Sequence, residues 1–246
     1  MKRLIFAVMA IMVMATPVVN AQKVNKQMLL DKIASTDAAV NDAKKGKKAA
    51  TWISRGDAYF KAASEPTKDL FREGKYADVE IAMGVPESKT DGVVINGITY
   101  TEMVYPWVKI YVVNDVVVTW EQTQFVKEGD LVMEAFGSYM KAYEIDSKQA
   151  GKVELALNRL ANYLLKMGDA CQDTARWAAA AENYYKAYYI KSHCATKDPN
   201  DAKYLYFAGY LWVLDGNVGS KSQASYKKAI EAFDKALAAG YADEKG

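Results

Sequence analysis

Few side chains in this sequence combine the type and spacing that chemistry requires. His193, the only histidine, stands beside Cys194, so two potential metal donors are adjacent. A zinc-binding helix needs a histidine pair, and most metal sites draw ligands from separate segments, so these two read as a surface histidine and a thiol. Asp169 and Asp173 lie one helical turn apart, the spacing of a carboxylate pair for general acid–base work. At the end of a helix the same spacing serves a solvated or turn-capping role. Cys-x-x-Cys, phosphate loop, nucleophile elbow and dinucleotide fingerprint are all missing from the sequence. No catalytic residue, no metal and no cofactor are predicted.

Aromatic residues are the remaining candidates. Tyr184, Tyr185, Tyr188, Tyr189, Tyr204, Tyr206, Phe207, Tyr210 and Trp212 crowd two short stretches, where most should be core. What positions them is a recurrent spacing. Ala135–Tyr139–Ala142 has the offsets of Ala180–Tyr184–Ala187 and of Ala229–Phe233–Ala236. Steps of four and three put each trio on one helical stripe, where small outer residues admit a neighbouring helix and the aromatic fills the groove beside it. A second pattern precedes each trio: Trp52, Arg55, Gly56, Tyr59; Leu164, Met167, Gly168, Cys171; and Leu205, Ala208, Gly209, Trp212. A glycine inside a helix costs about 1 kcal/mol against alanine, so three in phase imply close helix crossings.

These paired patterns resemble the tetratricopeptide repeat (TPR), a helix–turn–helix unit of about 34 residues. The fold class expected is therefore mainly α, a TPR-like α-solenoid of helical hairpins. The resemblance implies a concave groove lined by the opening helices. Asn162, Lys166 and Asp169 would face it from the second unit, and Lys203, Tyr206 and Tyr210 from the third. Tyrosines among amide and charged side chains suit an extended peptide or protein segment, because rigid aromatics supply contact area at low entropy cost.

Between the two halves of the first unit the period changes from that of a helix to two. Ile95-Asn96-Gly97-Ile98 is a strong two-residue hairpin signal and Val113-Asn114-Asp115-Val116 a weaker one. Strands are expected at 93–95, 98–104, 107–113 and 116–121, with a further one at 79–83. The organisation expected is a signal peptide at 1–21, N-terminal capping helices at 22–48 and a first repeat at 49–74 and 125–149. A β insertion at 75–124 interrupts that repeat. A second repeat with an extended first helix follows at 150–200, and a third at 201–246. The capping helix over 24–45 should break near Ser35-Thr36-Asp37, with Thr36 or Asp37 capping its second part. A short helix should open at Pro66. Lys44, Lys45, Lys47 and Lys48 flank Gly46 and read as a solvated helix junction.

The chain opens Met1-Lys2-Arg3, runs apolar through residues 4–14, breaks at Thr16-Pro17 and reaches a small-x-small site at Val19-Asn20-Ala21. The apolar run is half the roughly 20 residues a membrane span requires, and the layout is that of a cleavable secretory signal with a mature start at Gln22. A periplasmic or secreted address follows, with no transmembrane span in the mature chain. Together with the interrupted first repeat, this resembles exported TPR proteins of the Gram-negative envelope. Removing Lys2 and Arg3 takes the formal charge from +2 to zero, which leaves no field to hold nucleic acid. Cys171 and Cys194 should be about 20 Å apart along the second hairpin, too far to bridge.

Function is expected to be non-enzymatic: a scaffold, or a binder of a protein or peptide partner in the concave face. The alternative is binding of cell-wall glycan (peptidoglycan) by exposed aromatics of the β insertion, such as Trp107 or Trp120. The final helix pair is followed by no polar cap in the sequence. The array is therefore expected to continue in a longer protein, with self-association through that face as the other possibility.

Overall fold

The computed structural model describes residues 24–242; the signal peptide expected at 1–21 lies outside them. The described chain is mainly helical with one small antiparallel sheet. Its helices are α1 (Lys26–Asn41), α2 (Ala49–Ser64), α3 (Tyr76–Met83), α4 (Leu131–Ile145), α5 (Ala150–Asp173), α6 (Trp177–Lys191), α7 (Lys203–Asn217) and α8 (Gln223–Ala238). No helix among the described residues is long and apolar enough to cross a membrane.

The long helices pack as α2 on α4, α5 on α6 and α7 on α8, with α1 against α2 and successive pairs in contact through α4–α5 and α6–α7. The α5–α6 pair is antiparallel. Asn183 Nδ2, early in α6, lies 3.8 Å from Cys171 Sγ late in α5, while Cys194, just past α6, approaches Asn158 early in α5. Both cysteines are free and buried at opposite ends of this hairpin.

The glycine and alanine pattern forms the joint in every pair. An added Cβ at Gly56 would lie 2.5 Å from the Tyr139 ring, at Gly168 3.3 Å from Tyr184, and at Gly209 2.6 Å from Phe233. Ala135, Ala142, Ala180, Ala187, Ala229 and Ala236 flank those rings and are all buried. Each glycine leaves the hollow that the partner helix's aromatic fills, and the alanines let the axes close around it.

The sheet consists of β1 (Ser88–Ile95), β2 (Ile98–Val104), β3 (Val108–Val113) and β4 (Val116–Gln122), in the order β1-β2-β3-β4. Asn96 and Gly97 turn β1 into β2 with φ of 51° and 77°, and Asn114 and Asp115 turn β3 into β4 with 49° and 60°. These pairs of positive φ give the tight hairpins their sequence signals announced. β1 begins earlier than its apolar residues suggest, because its first half is an exposed polar edge. Gly92 there, at φ 79°, sits in a register shift. One face of the sheet is covered by α3, through Tyr76 and Val79, and by Leu70. β4 packs on α5, where the Thr119 hydroxyl donates to Ala170 O at 3.2 Å.

Three local expectations are corrected. Residues 79–83 are helical, not a strand: Tyr76 and Val79, three apart, go into the core, Ile81 goes to solvent, and Gly84 at φ 82° stops the helix. Alternation of Val79, Ile81 and Met83 was coincidental. Second, α1 does not break at Thr36. The Thr36 hydroxyl donates back to Ile33 O inside a continuous helix, and Asp37 pairs with Arg55 of α2 at 2.7 Å and accepts from the Tyr59 hydroxyl at 2.9 Å. The cap belongs to Asn25, which accepts from Met28 N. Third, Pro66 sits in a single 3-10 turn (Glu65–Thr67) continuing α2, with no separate helix through Phe71.

Candidate functional site

Two of the three glycine joints carry a second contact. The residue after Gly56 is Asp57, whose Oδ1 accepts from the Tyr139 hydroxyl at 2.8 Å. The residue after Gly168 is Asp169, which accepts from the Tyr184 hydroxyl. Burial, and then that hydrogen bond, push the Tyr184 phenol up in pKa. In the third pair the aromatic is Phe233, which has no hydroxyl, and the residue after Gly209 is Tyr210. Where the partner ring cannot donate, the acceptor is replaced by another aromatic, and that aromatic is 51 % exposed.

Tyr210 opens a cleft of about 410 Å³ walled by Gln172, Tyr184, Tyr206, Phe207 and Leu211. None of these side chains is charged. Phe207 is 41 % exposed, and its ring centroid lies 6.1 Å from Tyr184 and 6.2 Å from Tyr206. Tyr206 is fixed from behind by stacking on Tyr241, with centroids 4.8 Å apart. The walls are contributed by α5, α6 and α7, so their spacing is set by the glycine joints.

Of the six groove residues suggested by sequence, only Tyr206 and Tyr210 line this cleft. Asn162 is exposed at the middle of α5. Lys203 holds its ammonium 5.3 Å from the Tyr204 ring centroid. Lys166 and Asp169 are engaged by the stretch that follows α2, residues 67–72, and Lys166 also by Trp120 of β4. Lys166 Nζ donates to Thr67 O at 2.8 Å and lies 5.0 Å and 5.1 Å from the Phe71 and Trp120 centroids. Burial pushes its amine down to about 8. Arg72 reaches across to Asp169 at 3.8 Å and to Asp173 at 3.0 Å. The carboxylate pair thus clasps a guanidinium, although the Asp173 contact lacks hydrogen-bond alignment. Burial raises the Asp173 carboxyl, with Arg72 acting in the opposite direction.

His193 packs against the Phe136 ring at 5.1 Å, and its Nδ1 lies 2.8 Å from Tyr189 O. No group of three or more His, Cys, Asp or Glu side chains among the described residues is placed to hold a metal ion. The exposed tryptophan expected at Trp120 is corrected: it is fully buried between sheet and α5, with its indole N–H unpartnered. Trp107 is half-buried and lines a cleft of about 390 Å³ with Val85, Tyr105 and Pro106. A further pocket of about 350 Å³ opens where β4 meets the helices, between Gln122, Phe125, Tyr163, Met167 and Lys186.

Sequence reasoning missed Gln172 and Leu211 as cleft walls and read Tyr184 and Phe207 as core. The signal available was the break in the Gly-Asp pattern at Gly209-Tyr210, which marks the one joint built without an acceptor. No family model, curated protein or solved structure matches the chain.

Proposed function

We propose that this is a non-enzymatic, TPR-like protein of the Gram-negative envelope that binds a polypeptide partner at the aromatic cleft between α5, α6 and α7. The observation that carries this reading is the composition of the cleft: three tyrosines, one phenylalanine, one leucine and one glutamine side chain, with no charge, around about 410 Å³. Rigid rings bind an extended segment with little loss of side-chain entropy, and the Gln172 amide supplies both donor and acceptor for a backbone. The stacked helix pairs hold the walls, as a helical array would. The export reading rests on the basic start, apolar run and small-x-small site at residues 2–21.

Tyr210→Ala tests it, since Tyr210 makes the cleft wall without supporting the core. Against peptides selected on the wild-type protein from a random display library, Tyr210→Ala is expected to weaken binding by about tenfold, as for an aromatic anchor worth more than 1 kcal/mol. Unchanged affinity with unchanged helicity would refute the assignment. A second reading, glycan binding on the sheet side, rests on Trp107 and its cleft. It predicts that peptidoglycan fragments shift the Trp107 fluorescence and that Trp107→Ala, not Tyr210→Ala, abolishes the effect.

A further inference from the structure

Six exposed lysines gather at one end of the helix pairs. Lys44, Lys45, Lys47 and Lys48 lie in the turn between α1 and α2, Lys148 in the turn between α4 and α5, and Lys152 in the first turn of α5. None of the six forms an ion pair among the described residues. Other lysines at the same end are neutralised, Lys141 by Glu144 at 2.8 Å and Lys191 by Asp201 at 2.9 Å. Helix packing brings the two turns together. Arg55 donates to the Ser138 hydroxyl at 2.7 Å and Tyr139 packs on Gly56, so α4 runs opposite to α2 and Lys148 comes level with the start of α2. Arg159 reaches Asp57 at 3.4 Å and the Tyr163 hydroxyl donates to Ala63 O at 2.8 Å. Helix α5 therefore runs in the direction of α2, with Lys152 toward its first turn.

Both turns are held in place, and the carboxylates near them are spent on that task. Asp42 Oδ1 accepts from Lys44 N at 2.9 Å and Lys45 N at 2.7 Å, and the Trp52 indole donates to Gly46 O at 2.8 Å. Asp146 accepts from Lys148 N at 3.1 Å, and Glu154 from Thr196 N at 3.0 Å. Three residues beyond Lys152, on the same face of α5, Leu155 is 68 % exposed.

We infer that this end of the molecule docks on a bilayer surface that carries anionic lipid headgroups. Residues 22–246 have no formal net charge to attract such a surface from afar. The six ammonium groups act instead on contact, within the roughly 10 Å over which salt leaves them unscreened. Each lysine held at such a surface strengthens attachment about fivefold. Leu155 selects the bilayer among polyanions: past the headgroups it meets hydrocarbon, whereas a nucleic-acid backbone or an acidic polysaccharide offers it no apolar partner. No arginine stands among the six to fork onto single phosphates, so the surface recognises charge density and not one headgroup. It shares no residue with the cleft around Tyr210.

Flotation of the purified protein with vesicles tests this, using phosphatidylcholine alone and an equal mixture of phosphatidylcholine and phosphatidylglycerol. The readout is the ratio of the two affinities, which leaves out any binding through the apolar run at 4–14. The ratio is expected to exceed about 100 at about 0.1 M salt and to fall steeply as salt is raised. Replacing Lys44, Lys45, Lys47 and Lys48 together by Gln should bring it close to one with unchanged far-ultraviolet circular dichroism, while Lys221→Gln combined with Lys227→Gln should leave it as in wild type. Leu155→Ser should weaken binding to the mixed vesicles about tenfold without altering the salt dependence. Equal affinity for the two vesicles, or a fourfold Gln variant that binds as wild type, would overturn the assignment. So would heparin or duplex DNA bound as tightly as the mixed vesicles and insensitive to Leu155→Ser, which would make the patch a general polyanion site.

Discussion

A methyl group at Gly56 would overlap the Tyr139 ring and one at Gly209 the Phe233 ring, whereas at Gly168 the Tyr184 ring stands back at 3.3 Å. Alanine gains about 1 kcal/mol of helix propensity over glycine at all three positions. The clash at Gly56 and Gly209 should exceed that gain and leave a net loss of about 1–3 kcal/mol. Gly168→Ala should fall within about 1 kcal/mol of wild type, on either side of zero, because a small shift of one ring relieves it. Urea denaturation of the three variants checks the order, and a Gly168 variant as damaged as the other two would contradict the geometry. These joints were legible in the sequence because one packing solution is used three times and leaves the same spacing each time. Asp37 was not legible. Its partners Arg55 and Tyr59 lie 18 and 22 residues away, and nothing local separates a capping aspartate from one that crosses to the next helix.

At the scale of elements, the inserted sheet meets α5 through Trp120 under the Lys166 ammonium and Thr119 on Ala170, and the stretch before it is tied to α5 through Thr67 and Arg72. The Lys166 amine is pushed down to about 8 by burial, while in the unfolded chain it titrates near 10.4. Between about pH 8 and pH 10 the unfolded state therefore holds a proton that the folded state has released, so this residue's contribution to stability rises with pH. Relative to Lys166→Met, the wild-type melting temperature should climb across that interval. Above it both proteins should lose stability, because burial raises the phenols of Tyr105, Tyr139 and Tyr184 and the unfolded chain ionises first. A pH-independent difference between the two proteins would remove Lys166 from the junction. The hairpins of this sheet were readable from Asn96-Gly97 and Asn114-Asp115, whose types are dictated by the turn itself. The helix at Tyr76–Met83 was not, since eight residues carry barely two turns of periodicity. Nor was the docking of the sheet on α5, which depends on where the chain returns in space. That return places Thr67, Arg72 and Trp120 on the Lys166 and Asp169 side of α5, where the repeat pattern alone suggested open groove.

For the whole molecule, the repeat pattern departs from itself in two places: at Tyr210, where the other pairs have an acceptor, and at Ile230, where the other pairs have a covered residue. The insertion also divides the first helix pair in a way that bears on how the chain reaches its native state. Tyr184 finds Asp169 across 15 residues, but Tyr139 finds Asp57 across 82. Closing the longer span from an open coil costs about 1.5 kcal/mol more in chain entropy, and contacts so distant in sequence slow assembly. The sheet can shorten that span only by forming first and bringing its two ends together. Pulse-labelled hydrogen exchange during refolding should therefore protect α5–α6 and α7–α8 ahead of α2 and α4. Gly97→Val, which strains the β1–β2 turn, should delay protection of α2 while leaving α7 on schedule. On that order the α2–α4 pair closes last, so as the polypeptide emerges from a ribosome α2, with only α1 beside it, waits for residues made much later.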